Sequence, residues 1–182
     1  MDRKNNGIVF ATIAIILLGL GIFSTDWWHR TDTGQRSFSM GLDSVEVCNS
    51  EECLTVTLNY ALQGEYGAFQ TLGAIIRYGG VLAGILLLIA LIIALRQKRY
   101  EGRIGPAPTA LLVCSLMLLC VLLHTAIVPG RAEFSVGIGL LMYMPGTVLG
   151  IIGAVYLAMK EPAPATDAER IPSGTGQDNS SD

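Results

Sequence analysis

Residues 109–128 read TALLVCSLMLLCVLLHTAIV, a run of twenty positions that contains no Asp, Glu, Lys or Arg. A helix of about 20 residues is about 30 Å long, which matches the hydrocarbon thickness of a bilayer. Lipid offers the backbone no hydrogen-bond partner, so a long uncharged run is typical of a membrane-spanning helix. This stretch therefore predicts a helix that crosses a membrane.

Three further runs have a similar length and nearly the same lack of charge. They cover residues 7–25, about 70–95 and about 134–159. Together the four runs account for much of the 182 residues and leave only one long connection, about 26–69. The sequence therefore predicts one tetraspan membrane domain over residues 1–160.

The basic residues divide unevenly between the two sides of these spans. Eight of the twelve basic residues flank the ends of spans on the same side of the membrane: Arg3, Lys4, Arg96, Lys98, Arg99, Arg103, Lys160 and Arg170. Four belong to the other side: Arg30, Arg36, Arg77 and Arg131. Because cytoplasmic loops carry the excess of Lys and Arg, we expect a multi-pass protein of a plasma or inner membrane with both termini cytoplasmic.

The opposite, outer side is acidic. Its carboxylates are Asp26, Asp32, Asp43, Glu46, Glu51, Glu52, Glu65 and Glu133. Eight carboxylates against four arginines leave a net charge of about −4 there, which favours cations and basic partners. The formal net charge of the whole chain, −3, gives no reason to expect nucleic acid as a partner.

The two ends of the chain carry separate expectations. Arg3 and Lys4 before an apolar run are also typical of a signal peptide, but the run is long and no A-x-A-like site precedes Asp26. We therefore expect the first helix to be retained. Neither end carries a cysteine suited to lipidation, so anchoring is expected from the spans alone. Residues 161–182 have too few apolar side chains to bury a core and are predicted to form a disordered cytoplasmic tail.

The long connection contains segments in which polar and apolar residues alternate. SFSMGL at residues 37–42 and LTVTL at 54–58 have this pattern, which is typical of half-buried strands. Cys48 and Cys53 enclose a polar turn of four residues, which predicts a β-hairpin with the two cysteines facing each other. That geometry and the outer side of a membrane both suit a disulfide, whereas two free thiols or a metal pair would need partners that this stretch lacks.

The predicted fold class is therefore an all-α membrane protein. It is a four-transmembrane-helix bundle with a small disulfide-stapled extracellular β-sheet in the first loop. From Tyr60 onward the chain is predicted to be helical and to run without a break into the second span.

Two features border the first loop. Trp27 and Trp28 directly follow the first span. Paired tryptophans at the end of a span are typical of headgroup anchors. The alternative is that one of them folds back and seals the loop against the bundle. Arg77 lies inside the second apolar run, where a charge must reach the headgroups or form an ion pair. The candidate partners for such a pair are Glu133, Asp26 and Glu65.

Small residues at four-residue spacing mark faces for close helix packing. Gly80 and Gly84 form such a pair in the second span, and Gly146 and Gly150 form another in the fourth. The helix that packs against these faces belongs either to the same bundle or to another subunit, and the sequence leaves both open.

The polar residues of the spans do not match the residue patterns of a catalytic or transport site. Cys114 and Cys120 lie six residues apart on one helix and cannot form the reactive pair of a thiol–quinone oxidoreductase. Cys120 and His124 share a helix face, yet the chain has only one other histidine, His29, for a metal or haem. The spans also lack the carboxylates of ion transporters. We therefore predict a protein that is not an enzyme and holds no metal or other cofactor.

The pattern of the first loop resembles the claudin and PMP22-like superfamily of four-transmembrane proteins. In that superfamily a Trp and a G-L-W motif precede two disulfide-bonded cysteines, and an arginine lies where the first loop rejoins the membrane. The residues that carry the resemblance are Trp27, Trp28, Gly41, Leu42 and Arg77. Asp43 stands where the motif has its second Trp. The resemblance implies that these residues anchor a small outer sheet on the helices.

These features predict a non-enzymatic tetraspan that mediates association or adhesion through its first outer loop and through lateral helix packing. The expected partners are the lipid bilayer and either copies of the chain or another membrane protein. The expected contact residues in the loop are Phe38, Met40, Glu51 and Glu52. One alternative is an accessory or assembly subunit of a larger channel or respiratory-type complex, bound through the Gly146 and Gly150 face. Another is a cation-conducting pore formed by self-assembly.

Overall fold

Four long helices carry the fold. They are α1 (Arg3–Phe23), α2 (Gly67–Arg96), α3 (Ala107–Ala126) and α4 (Ile138–Ala158). The structure is a computed structural model that describes residues 3–31, 36–49, 52–58, 66–96, 105–128 and 133–159. Each of the four helices is long and apolar enough to cross a membrane, which confirms the four helical runs read from the sequence. The predicted tail lies outside the described residues.

The helices form a bundle in which α1 contacts α4 and α2, and α3 also contacts α2 and α4. The α1–α4 contact is the most extensive, because glycines let the two backbones approach closely. A Cβ atom added to Gly153 would lie 2.8 Å from the backbone nitrogen of Ala11, and one added to Gly146 would lie 3.0 Å from that of Leu18. Glycine at these positions therefore sets the distance between the two helices.

The glycines predicted to pack helices divide between the interior and the surface of the bundle. A Cβ atom on Gly80 would meet the Tyr143 hydroxyl at 2.6 Å, and one on Gly150 would meet the Cys114 sulfur at 3.0 Å. Gly84, by contrast, has no heavy atom within 4 Å of that position. The Gly146 and Gly150 face is thus occupied by helices of the same chain.

Five short strands form one antiparallel sheet at the end of the bundle where α1 ends and α2 begins. They are β1 (Trp28–Thr31), β2 (Ser37–Met40), β3 (Ser44–Cys48), β4 (Cys53–Thr57) and β5 (Ser135–Val136). Their order across the sheet is β4-β3-β2-β1-β5. The first connection therefore supplies four strands, and the segment between α3 and α4 supplies the fifth.

The structure corrects two expectations about this end of the molecule. The fourth helix begins at Ile138 rather than at 134, because Ser135 and Val136 pair with β1. A continuous helix from Tyr60 is also wrong: Tyr66 has a positive φ of 59°, which right-handed helices exclude, and α2 begins after it. The part of that segment from 59 to 65 lies outside the described residues.

Candidate interaction surface

The β3–β4 hairpin is closed by the predicted disulfide between Cys48 and Cys53. The two residues are directly paired across the strands, with 4.0 Å between their Cα atoms. At the turn, the Asn49 N–H donates to the Glu52 carbonyl at 2.9 Å, and the Glu52 N–H donates to the Asn49 side-chain oxygen at 2.7 Å. The tip of the sheet is therefore fixed both covalently and by hydrogen bonds.

Trp27 fixes the sheet to the helices. Its side chain is fully buried, and its indole N–H donates to the Gly21 carbonyl at 2.7 Å, near the end of α1. The Trp27 ring packs against Tyr143 of α4 at a centroid distance of 5.2 Å. The residue that opens the loop is thus inserted between α1 and α4.

The two tryptophans do not behave as headgroup anchors. Trp28 is only 3% exposed, so both indoles lie in the hydrophobic core and the interpretation as interfacial anchors is wrong. The alternative, in which a Trp folds back and seals the loop against the bundle, describes both residues. Each joins the sheet to the helices because it lies at the point where α1 passes into β1.

Gly41 and Leu42 lie where β2 turns into β3. The Gly41 N–H donates to the Ser44 carbonyl at 2.8 Å, and a Cβ atom on Gly41 would lie 3.3 Å from the backbone of Thr25. Leu42 is buried, and its carbonyl oxygen lies so close to α2 that a Cβ atom on Gly73 would approach it to 2.7 Å. These two residues therefore place the turn against the segment that follows α1 and against α2.

Arg77 forms an ion pair with Asp43 rather than with any of the three carboxylates predicted as partners. Glu133 pairs with Arg30 instead, and Glu65 lies outside the described residues. Arg77 therefore joins α2 to the loop, as expected, but its partner is Asp43, which stands where the G-L-W motif has its Trp. Both side chains are partly exposed, so the pair contributes at most about 1 kcal/mol to stability and mainly fixes an orientation.

The segment before α4 is joined to the same place. The Gly137 N–H donates to the Trp27 carbonyl at 2.9 Å, and the Gly139 N–H donates to the Asp26 carbonyl at 2.7 Å. The Ser135 hydroxyl donates to the His29 carbonyl at 2.9 Å. The start of α4 is thus held by the backbone of the first loop, and the two connections at this end of the bundle form one unit.

An aromatic cluster beneath the sheet was missed by sequence reasoning. His124 of α3 is fully buried, stacks on Phe69 at 4.1 Å between ring centroids and meets the edge of Trp27 at 6.0 Å. Neither ring nitrogen of His124 has a hydrogen-bond partner among the described residues. The only sequence signal was a lone histidine near the end of an apolar run, which says nothing about the aromatic partners around it.

The sheet has one polar and one apolar face. Direct pairing places Trp28, Met40, Val45 and Val56 in one row across β1 to β4, and Trp28 and Met40 in this row are buried against the helices. Met40 was predicted as an exposed contact residue, and that is wrong, because the alternation of the strand points it at the bundle.

A second row of the same face lies farther from the helices. It starts with Arg30 of β1, which pairs with Phe38, and its other members are apolar: Phe38 pairs with Val47, and Val47 pairs with Leu54. Phe38 and Val47 are half-buried, whereas Leu54 is 65% exposed. Of the predicted acidic contact residues, Glu52 is exposed and Glu51 lies outside the described residues. We call Phe38, Val47 and Leu54 the distal apolar row.

β4, which contributes Leu54 to the distal apolar row, is also an edge strand of the sheet. In the part of the chain that the structure describes, β4 pairs with β3 on one side and with nothing on the other. All of its residues except Val56 are exposed. An uncovered edge presents unpaired N–H and C=O groups that can bind another strand.

The arrangement offers little for metal or thiol chemistry. Among the described residues, the side chains close enough to share a metal ion are those of Glu46, Cys48 and Cys53, but both sulfurs are consumed by the disulfide. Cys114 and Cys120 are unbonded and buried in α3.

Comparison of the chain with protein-family models gives no match, and comparison with curated proteins gives none either. The resemblance to claudins therefore stays a prediction from the residues of the first loop.

Proposed function

We propose that the protein is a non-enzymatic, four-helix membrane protein that associates with a second copy of itself through the edge strand of its outer sheet. The observation that carries this proposal is the combination of an uncovered β4 edge with a sheet that is firmly seated on the helices. A rigid exposed edge loses little conformational entropy when it pairs with another strand.

Membrane placement is supported by the surface of the helices. At most 44% of the most apolar stretch of any helix is buried, and the exposed remainder includes Ile16, Leu88, Leu122 and Leu141. Water-soluble proteins rarely expose such continuous apolar surface, whereas lipid solvates it. With the excess of Lys and Arg at the opposite end of the bundle, the sheet would face the outer side of the membrane.

The hydrogen-bond pattern identifies which groups of β4 are free. In an antiparallel pair of strands, residues that bond to the neighbouring strand alternate with residues that do not. The Asn49 N–H donates to the Glu52 carbonyl just before β4, and the Leu58 N–H donates to the Asp43 carbonyl just after it, so these two bonds fix the alternation. By this alternation Leu54 and Val56 bond to β3, and the backbone groups of Cys53, Thr55 and Thr57 point to the open edge. A partner strand would therefore bond to these three residues.

Two copies of β4 are complementary to each other. An antiparallel pair centred on Thr55 places Thr55 opposite Thr55 and Cys53 opposite Thr57 across a twofold axis. The strand, CLTVT, carries no charge, so self-pairing brings no like charges together, and facing β-branched residues favour it. Leu54 of one copy would lie opposite Val56 of the other, which extends the distal apolar row.

The direct test is replacement of Thr55 by proline. Proline removes the N–H that points to the open edge but none that bonds to β3, so the sheet should form while pairing between copies fails. We expect self-association, measured by light scattering of the protein in mild detergent, to weaken at least tenfold, equivalent to about 1.4 kcal/mol or more.

The matched control is Thr55→Val, which keeps the N–H and the β-branched shape, and it should associate like the unaltered chain. Equal association of Thr55→Pro and the unaltered chain would contradict pairing through β4. Contact would then have to involve a helix face, as in the accessory-subunit alternative, and the exposed surface at Gly84 would be the next place to test.

A further inference from the structure

A groove lies at the end of the bundle opposite the sheet, between the start of α1 and the end of α4. Its volume is about 420 Å³, within the usual range of small-ligand sites. Its lining residues are Arg3, Ile151, Ile152, Val155, Tyr156 and Met159. The groove shares no residue with the outer sheet.

The groove carries a cation at its mouth. Among the described residues that line it, Arg3 is the charged one, and none of the described carboxylates lies within ion-pair distance of it. The first turn of α1, which contains Arg3, has no acidic residue. The mouth of the groove is therefore complementary to an anion.

The remainder of the groove is apolar and shaped by one helix. Ile151, Ile152 and Val155 line it over more than one turn of α4. The Tyr156 ring stacks on Phe10 of α1 at a centroid distance of 5.9 Å, which holds one wall in place. A soluble anion would leave this aliphatic surface uncovered, whereas a molecule with an anionic head and a hydrocarbon chain would use both parts.

We infer that this groove binds an anionic phospholipid of the inner leaflet, with its phosphate at Arg3 and an acyl chain along Ile151, Ile152 and Val155. The inference rests on the proposed membrane placement, because the groove must lie at the depth where headgroups meet hydrocarbon. A zwitterionic lipid carries its own cation beside the phosphate and gains less from Arg3.

The test is native mass spectrometry of the full-length protein in mild detergent, with phosphatidylglycerol or phosphatidylcholine of identical chains added. We expect preferential retention of one phosphatidylglycerol per chain. Arg3→Gln should weaken this binding about fivefold, which is the contribution of one cation near an anionic surface. Val155→Trp, which fills the groove, should weaken binding of both lipids.

The matched control is Arg96→Gln, which removes an exposed charge at the same end of the bundle but outside the groove. It should bind phosphatidylglycerol like the unaltered chain. Equal retention of the two lipids, or equal losses in Arg3→Gln and Arg96→Gln, would overturn the inference. Competition by glycerol 3-phosphate, which has no chain, would also overturn it, since a simple anion site would then suffice.

Failure of the lipid site can be told apart from failure of the membrane placement. Extraction of cell membranes at alkaline pH tests the placement alone, because spanning proteins stay in the pellet. A protein that stays there but shows no lipid preference overturns only the lipid site. A protein that is released into the supernatant overturns the proposed placement as well.

Discussion

Trp27→Ala is expected to lower the free energy of unfolding by about 3–5 kcal/mol, the usual cost of removing a fully buried aromatic side chain. The change leaves a cavity between Tyr143 and His124 and leaves the Gly21 carbonyl without the indole N–H. Because Trp27 joins the sheet to the helices, the outer loop should also become sensitive to protease. Titration of the detergent-solubilised protein with SDS measures the stability.

Trp27→Phe is the matched control, since it keeps a six-membered aromatic ring and removes the N–H together with the five-membered part of the indole. It should cost clearly less than the alanine variant. If Trp27→Ala unfolded at the same SDS concentration as the unaltered chain, the sheet would not be held by this residue, and the rigid edge on which the proposed function depends would lose its support.

The second large effect is expected at Gly21. A Cβ atom there would lie 2.8 Å from the Tyr143 Cβ and 3.0 Å from the Gly139 carbonyl oxygen, so a larger side chain must push α1 and α4 apart. We expect Gly21→Val to cost about 3 kcal/mol or more, at the upper end of the range for overpacking. The same SDS titration measures it.

Gly19 provides a control on the same helix, two residues away. No heavy atom lies within 4 Å of the position that its Cβ would occupy, so Gly19→Val should change stability by no more than about 0.5 kcal/mol. Equal destabilisation by the two substitutions would mean that helix propensity, rather than the contact between α1 and α4, determines the effect.

The sequence was sufficient for the features that depend on local chemistry. A run such as 109–128 needs no partner to be recognised, because lipid selects length and lack of charge within one segment. The disulfide was equally local, since Cys48 and Cys53 enclose a short polar turn that brings them together. These features were predicted with boundaries within about four residues of those observed.

The predictions that failed concern features that depend on contacts between distant segments. β5 has two residues and exists because it pairs with β1, more than 100 positions earlier in the chain. Arg77 had several candidate carboxylates, and the choice of Asp43 follows from the turn that Gly41 and Leu42 place against the segment that follows α1 and against α2. Periodicity and spacing do not contain this information.

The sequence also does not show which of the regularly spaced glycines pack against another helix. Gly80 and Gly84 belong to one small-xxx-small pair, yet the first packs against Tyr143 and the second faces open space. Four positions correspond to a rotation of about 40° on a helix, which is enough to move a residue from the interior to the surface. Which pairs join helices within the bundle therefore follows only from how the four helices are arranged.

The central claim is that a disulfide-closed sheet covers the outer end of a four-helix membrane bundle. The most direct measurement applies a membrane-impermeant maleimide polymer to cells or spheroplasts, with and without an impermeant phosphine reductant. We predict two adducts per chain after reduction and none before it, both lost in the Cys48→Ser, Cys53→Ser double variant, because Cys114 and Cys120 are buried in α3. Labelling that requires no reductant, or that occurs only after the cells are opened, would contradict the account.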